Sequence, residues 1–343
     1  MAYTTINKST DYFNTKLYSG NGSNGNAQTG VGFQPDWTWI KSRSHTPSNV
    51  LIDAVRGVNK HIISNTTGAE VTSTAYMASF NSDGFTLNND GDVNGSGRTY
   101  ASWNWKANGA GSANTDGSIN TTATSVNTTA GFSISKFTGT GANATVGHGL
   151  GVAPKMIIVK NLSDADNWVV YHNSLGNTDG LYLNTTDTTV GTNTFWNNTT
   201  PTTTVFSVGT HNRVNGSGDN MIAYCFAEKT GYSKFGSYVG NGNADGTFVY
   251  TGFKPTFVMV KQSTSTTDWF IVDNKRPEYN VVNKLLYPNG SYAEGTTNIL
   301  DFTSQGFKLR STDQTFNKDG NTFIYMAIGQ SLVGSNNVPC TAR

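Results

Sequence analysis

Apolar and polar residues alternate along short stretches of this chain, and Asn, Gly and Asp punctuate them, as in "VNGSGRTYASWNWKA" (93–107). A period of two bounded by turn formers predicts half-buried β-strands, whereas runs at a helical spacing of three to four are almost absent. The segments "WTWI" (37–40), "MIIV" (156–159) and "FVMV" (257–260) correspond to one another, and the last two are apolar without alternation. That pattern predicts a central strand covered on both faces. "DGFTL" (83–87), "TVFSV" (204–208) and "QGFKL" (305–309) each precede a polar turn and a closing apolar run, which predicts a hairpin.

These correspondences extend into an internal repeat. Residues 18–57, 137–176 and 238–277 align without gaps, at offsets of 119 and 220 from the first copy. An aromatic residue followed by G-x-G recurs as Tyr18/Gly20/Gly22, Phe137/Gly139/Gly141 and Tyr238/Gly240/Gly242. Gly32, Gly151 and Gly252 follow, then Pro35, Pro154 and Pro255, then Lys41, Lys160 and Lys261. The stretch "YSGNGSNG" (18–25) also matches the dinucleotide-binding spacing G-x-G-x-x-G. Its third glycine, Gly25, becomes Ala144 and Asp245 in the other copies, and no helix can start behind it. The nucleotide reading is discarded.

The expected architecture is all-β, with three tandem antiparallel β-sandwich (jelly-roll-like) repeats. Residues 1–17 form an N-terminal arm suited to docking. The first repeat spans 18–107, a linker and lead-in strand 108–136, the second repeat 137–228, the third 229–330, and a C-terminal tail 331–343. The polar tract 108–131 is expected to be an exposed linker.

Composition narrows the function classes. Of 343 residues, 13% are charged and the net charge is +1, so no basic face for nucleic acid is expected. No apolar run approaches the roughly 18 residues of a membrane span, and the N-terminus carries no secretory pattern. Cys225 and Cys340 make no disulfide framework, and both are expected to be free.

Candidate sites are few. Trp37, Trp39, Trp103 and Trp105 could stack sugars. Their counterparts stay apolar without staying aromatic, which marks core positions. Trp168 and Trp269 align instead with Asn49, and are the better candidates for glycan contact. "DGDVNG" (90–95) resembles half of a calcium loop through Asp90, Asp92 and Asn94, but Ala101 stands where the bidentate Glu belongs. A polar turn is the preferred reading, and no metal or other cofactor is expected. Asp53, His172 and Asp273 share one repeat position and could do acid–base work if brought together. His45, His61, His148, His172 and His211 show no metal spacing. No catalytic residue is assigned.

"GFQPDWTWIKSRS", "LIDAVRG", "SNTT", "SFNSDGFTL" and "YASWNWKA" resemble a repeat in virion or tail-associated proteins of marine tailed phages, including cyanophages and phages of oceanic bacteria. The resemblance is strongest over residues 12–107. It implies a non-enzymatic structural protein on the virion surface, either capsid decoration or a tail or tail-fibre component, assembled in the host cytoplasm and released by lysis. Its partners would be other phage structural proteins, in a symmetric homo-oligomer, with a host-surface glycan as a further attachment partner. The alternatives are a glycan-binding adhesin and, third, a polysaccharide hydrolase.

Overall fold

Alternation along the strands decides the layers. In strand Trp37–Ser42, Trp37 and Trp39 point to one side while Ile40 points to the other. Strand Met156–Asn161 divides in the same way, with Met156 and Ile158 opposite Ile157 and Val159. Strand Lys254–Gln262 sends Phe257 and Met259 one way and Val258 and Val260 the other. Both faces are buried in all three, as the apolar runs predict.

The computed structural model describes residues 4–334. Among the described residues, the regular structure is almost wholly antiparallel β-strand, with a few one-turn helices. One strand order recurs in three successive bodies. In the first, Phe13–Ser19, Thr99–Trp105, Trp37–Ser42 and Val50–Asp53 lie side by side. In the second the order is Phe132–Thr138, Asn220–Phe226, Met156–Asn161 and Val169–His172. In the third it is Ser233–Val239, Thr322–Gln330, Lys254–Gln262 and Phe270–Asp273. A smaller sheet packs on each large one, with its own apolar core between the two layers.

The opposite faces of the three large sheets meet in one shared core. Trp37 stacks on Tyr224 of the second body at 4.4 Å between ring centroids, Phe13 packs edge-on to Phe257 of the third at 5.2 Å, and Phe226 approaches Phe235 at 6.3 Å. Each buried aromatic of this size contributes about 1.5–3 kcal/mol through removal from water. Trp37, Trp39, Trp103 and Trp105 all belong to this core.

Three expectations are corrected. The segments 83–87 and 99–105 do not form a hairpin: Gly84–Leu87 pairs inside the small sheet and Thr99–Trp105 inside the large one. The polar turn between them crosses from one layer to the other through a single helical turn, Gly91–Asn94. The tract 108–131 is not a free linker. Asp36 accepts from the backbone of Ala107 (2.6 Å) and Gly109 (3.0 Å), and Ala123–Asn127 adds an edge strand to the second large sheet. Much of the tract is exposed, as expected, but it is pinned at a few buried points, where Thr121 and Thr124 (2.9 Å) and Thr124 and Ser135 of the neighbouring strand (3.1 Å) share hydrogen bonds. Lastly, the described part of the arm, residues 4–17, is built into the first body. Phe13–Ser19 is a strand of its large sheet, and Ile6 lies in the shared core. The equivalent strands start at Phe132 and Ser233, so the bodies begin earlier than residues 18 and 137.

Candidate functional site

The recurring G-x-G is explained by one asparagine. Three one-turn helices, Gly91–Asn94, Asn212–Asn215 and Gln314–Asn317, each end on a fully buried Asn. In the third body, Asn317 Oδ1 accepts from Asn241 N–H at 3.0 Å, while Nδ2 donates to Asn241 Oδ1, Asn243 O and Ser311 O at 2.8–3.0 Å. Asn94 and Asn215 hold the loops behind Gly20 and Gly139 in the same manner. The loop comes so close that a Cβ on Gly20, Gly139 or Gly240 would collide with the backbone of the residues around the clasp. Gly22, Gly141 and Gly242 take φ of +71°, +70° and +63°, where glycine carries no Cβ penalty.

The remaining repeat positions meet at the joints between bodies. Trp168, from the second body, donates its indole N–H to Ile63 O of the first at 3.1 Å. Trp269, from the third, donates to Tyr182 O of the second at 2.9 Å. Asn49, from the first, donates to Tyr287 O and Gly290 O of the third at 3.2 and 2.9 Å. One position therefore makes one contact three times, and the third contact closes a ring.

The repeat lysine follows the same circuit. Lys160 Nζ donates to Thr67 O of the first body (3.1 Å), Lys261 to Thr186 O of the second (3.2 Å), and Lys41 to Ser291 O of the third (2.9 Å). Each also binds carbonyls of its own body, such as Asn161 O, Gln262 O and Pro47 O. Burial lowers the three ammonium groups from the ordinary range to about 8. Backbone bonds repeat the pattern: Glu70 N to Leu162 O, Thr189 N to Ser263 O, and Glu294 N to Arg43 O.

Asp53, His172 and Asp273 point the other way round the ring. Asp53 Oδ2 accepts from Tyr224 of the second body at 2.7 Å, and Asp273 Oδ2 accepts from the Trp103 indole of the first at 3.0 Å. His172 Nε2 donates to Tyr325 O of the third at 3.1 Å, with Nδ1 accepting from Ser174 N at 3.2 Å. Asp53 also binds Arg56, and Asp273 binds Arg276, both pairs fully buried. The second body carries Leu175 where the others carry that arginine. A buried carboxylate keeps its cation, and where the cation is replaced by leucine a neutral imidazole replaces the carboxylate. Burial holds His172 down at about 4, which keeps it neutral. The structure thus assigns the three residues to three separate joints and does not bring them together as an acid–base set.

The other sequence candidates are equally committed. Trp168 and Trp269 are 0% and 1% exposed, so neither offers the open ring face that a sugar would stack on. Their alignment with Asn49 reflects a shared hydrogen-bonding task, since an indole N–H and an amide N–H reach the same neighbouring carbonyls. In the calcium-like turn, Asp90 caps the helical turn by accepting from Asp92 N at 2.7 Å. Asn94 Oδ1 is taken by Asn21 N and Asn26 Nδ2, so the three do not converge on a cation position. Cys225 is free and buried, which raises its thiol far above the usual range, and Cys340 lies outside the described residues. Sequence reasoning missed Arg56, Arg276 and the Arg43–Glu294 bridge across the first and third bodies (2.9 Å). The available signal was the Asp–Arg spacing of three in copies one and three, lost jointly in copy two.

A family model described as Domain of unknown function (DUF7483) matches residues 8–331. No curated protein matches the chain.

Proposed function

We propose that this chain, which belongs to the family described as Domain of unknown function (DUF7483), is a non-catalytic structural protein on the exterior of a tailed-phage particle. It would act through protein–protein assembly, as head decoration or as part of the tail or its fibres. The observation that carries this reading is the use of the repeat's ionisable groups. Asp53, His172, Asp273, Lys41, Lys160 and Lys261 are fully buried and bonded across the ring joints, where they bind the three bodies to one another and reach no substrate. Such a design yields a rigid body whose surface loops do the contacting. The resemblance of residues 12–107 to phage virion repeats supplies the setting.

The test is the copy number of this chain in purified particles, by quantitative mass spectrometry against the major capsid protein. Copies comparable to the capsid protein assign it to the head, and a much smaller number assigns it to the tail or a unique vertex. Absence from particles overturns the reading.

A further inference from the structure

One edge of the small sheet is treated differently in the three bodies. Strands Asn26–Thr29, Ala144–Gly147 and Phe248–Tyr250 occupy the same place, each at the end of its sheet beside Gly84–Leu87, Val205–Val208 or Gly306–Leu309. In the second body the free side is already covered. Ile119 bridges to Val146 in parallel, its N–H donates to Thr145 O at 2.9 Å, and Thr145 N–H donates to Ser118 Oγ at 2.9 Å. The chain completes that edge itself, with residues from the tract between bodies. In the first body the side chains exposed along the strand are the small Ala27 and Thr29. In the third they are Phe248 and Tyr250, 48% and 61% exposed on either side of buried Val249. Exposed Val239, whose carbonyl accepts from Thr247 Oγ1 at 2.7 Å, extends the apolar patch.

The ladder determines which backbone groups are free. Thr247 O accepts from Leu309 N at 3.0 Å, and Thr251 N donates to Gln305 O at 2.9 Å. Residues 247, 249 and 251 therefore turn their peptide groups inward. Phe248 and Tyr250 turn theirs outward, by the alternation of an antiparallel pair. An exposed apolar edge of this kind is a template for another strand.

We propose that this edge pairs with the same edge of a second copy of the chain, antiparallel about a two-fold axis at Val249. The strand is self-complementary. Phe248 of each copy stands opposite Tyr250 of the other, which gives a hydrogen-bonded pair and an aromatic cross-strand pair on each side of the axis. The two small sheets become one continuous sheet. A formal net charge of +1 offers little repulsion between copies. The contacts of Ser118 and Ile119 on the second body's edge show that this place accepts a further backbone segment.

Sedimentation velocity over a concentration series tests the pairing. The full chain is expected to pass from monomer to dimer as concentration rises. Tyr250→Pro removes one outward N–H, at the kind of edge position where proline is accepted. Phe248→Lys places a charge on the edge, a common natural block to strand addition. Both variants are expected to lose association by roughly tenfold or more, the equivalent of about 1.4 kcal/mol, with unchanged circular dichroism. Phe248→Lys carries the test if the proline variant fails to fold. A wild-type chain that stays monomeric throughout, or a dimer that Phe248→Lys leaves intact, overturns the proposal.

Discussion

The paired change at the joints gives the sharpest prediction. Arg56 donates from Nε to Asp53 Oδ2 at 2.5 Å and from Nη2 to Leu51 O at 3.1 Å, and it approaches Glu70 at 3.5 Å. Both Asp53 and Arg56 side chains are fully buried. Arg56→Leu leaves Asp53 with only the Tyr224 hydroxyl and the residue-56 amide as donors. An uncompensated buried charge of this kind costs about 3–5 kcal/mol. The second body has already solved this problem with His172 and Leu175. The double change Asp53→His with Arg56→Leu is therefore expected to recover most of the loss, with a coupling energy of roughly 2–3 kcal/mol in a double-mutant cycle. Urea-unfolding midpoints of the wild type, both single variants and the double variant measure it. The reasoning fails if Arg56→Leu costs less than about 1 kcal/mol, or if the double variant is no more stable than Arg56→Leu alone.

Two further expectations follow from the same geometry. Asn317→Ala removes a side chain that makes four hydrogen bonds in a buried loop clasp, and is expected to cost about 2–4 kcal/mol. Limited proteolysis should then cut first between residues 240 and 246, and an unchanged cleavage map would count against the clasp. His172 is held near 4, below its ordinary 6.5, because burial disfavours the imidazolium. Between those values the unfolded chain takes up a proton that the folded chain refuses. Stability is thus complete above pH 6.5 and declines as pH falls towards 4, by about 3 kcal/mol from this one group. His172→Gln should lose less stability than the wild type over that window, and parallel pH profiles for the two would refute the assignment.

The local alternation and turn residues were enough to predict strands, an all-β class and the burial of both faces in 156–159 and 257–260. Those properties depend on side-chain polarity and backbone preference within a few residues, which the chain carries in plain order. The roles of Trp168, Trp269, Lys160, Asp53 and His172 could not be read that way. A polar group counts as exposed until a partner is known, and here each partner across a joint is a carbonyl or hydroxyl of a different body, 87 to 171 residues away. The polar tract 108–131 is largely exposed, but the strand it contributes and the anchors that hold it were hidden for the same reason, because those partners lie outside it. Closure of the ring belongs to tertiary structure alone. A single repeat position carries Asn49, Trp168 and Trp269, and only the docking of three large sheets on one core gives those dissimilar side chains the same hydrogen bond.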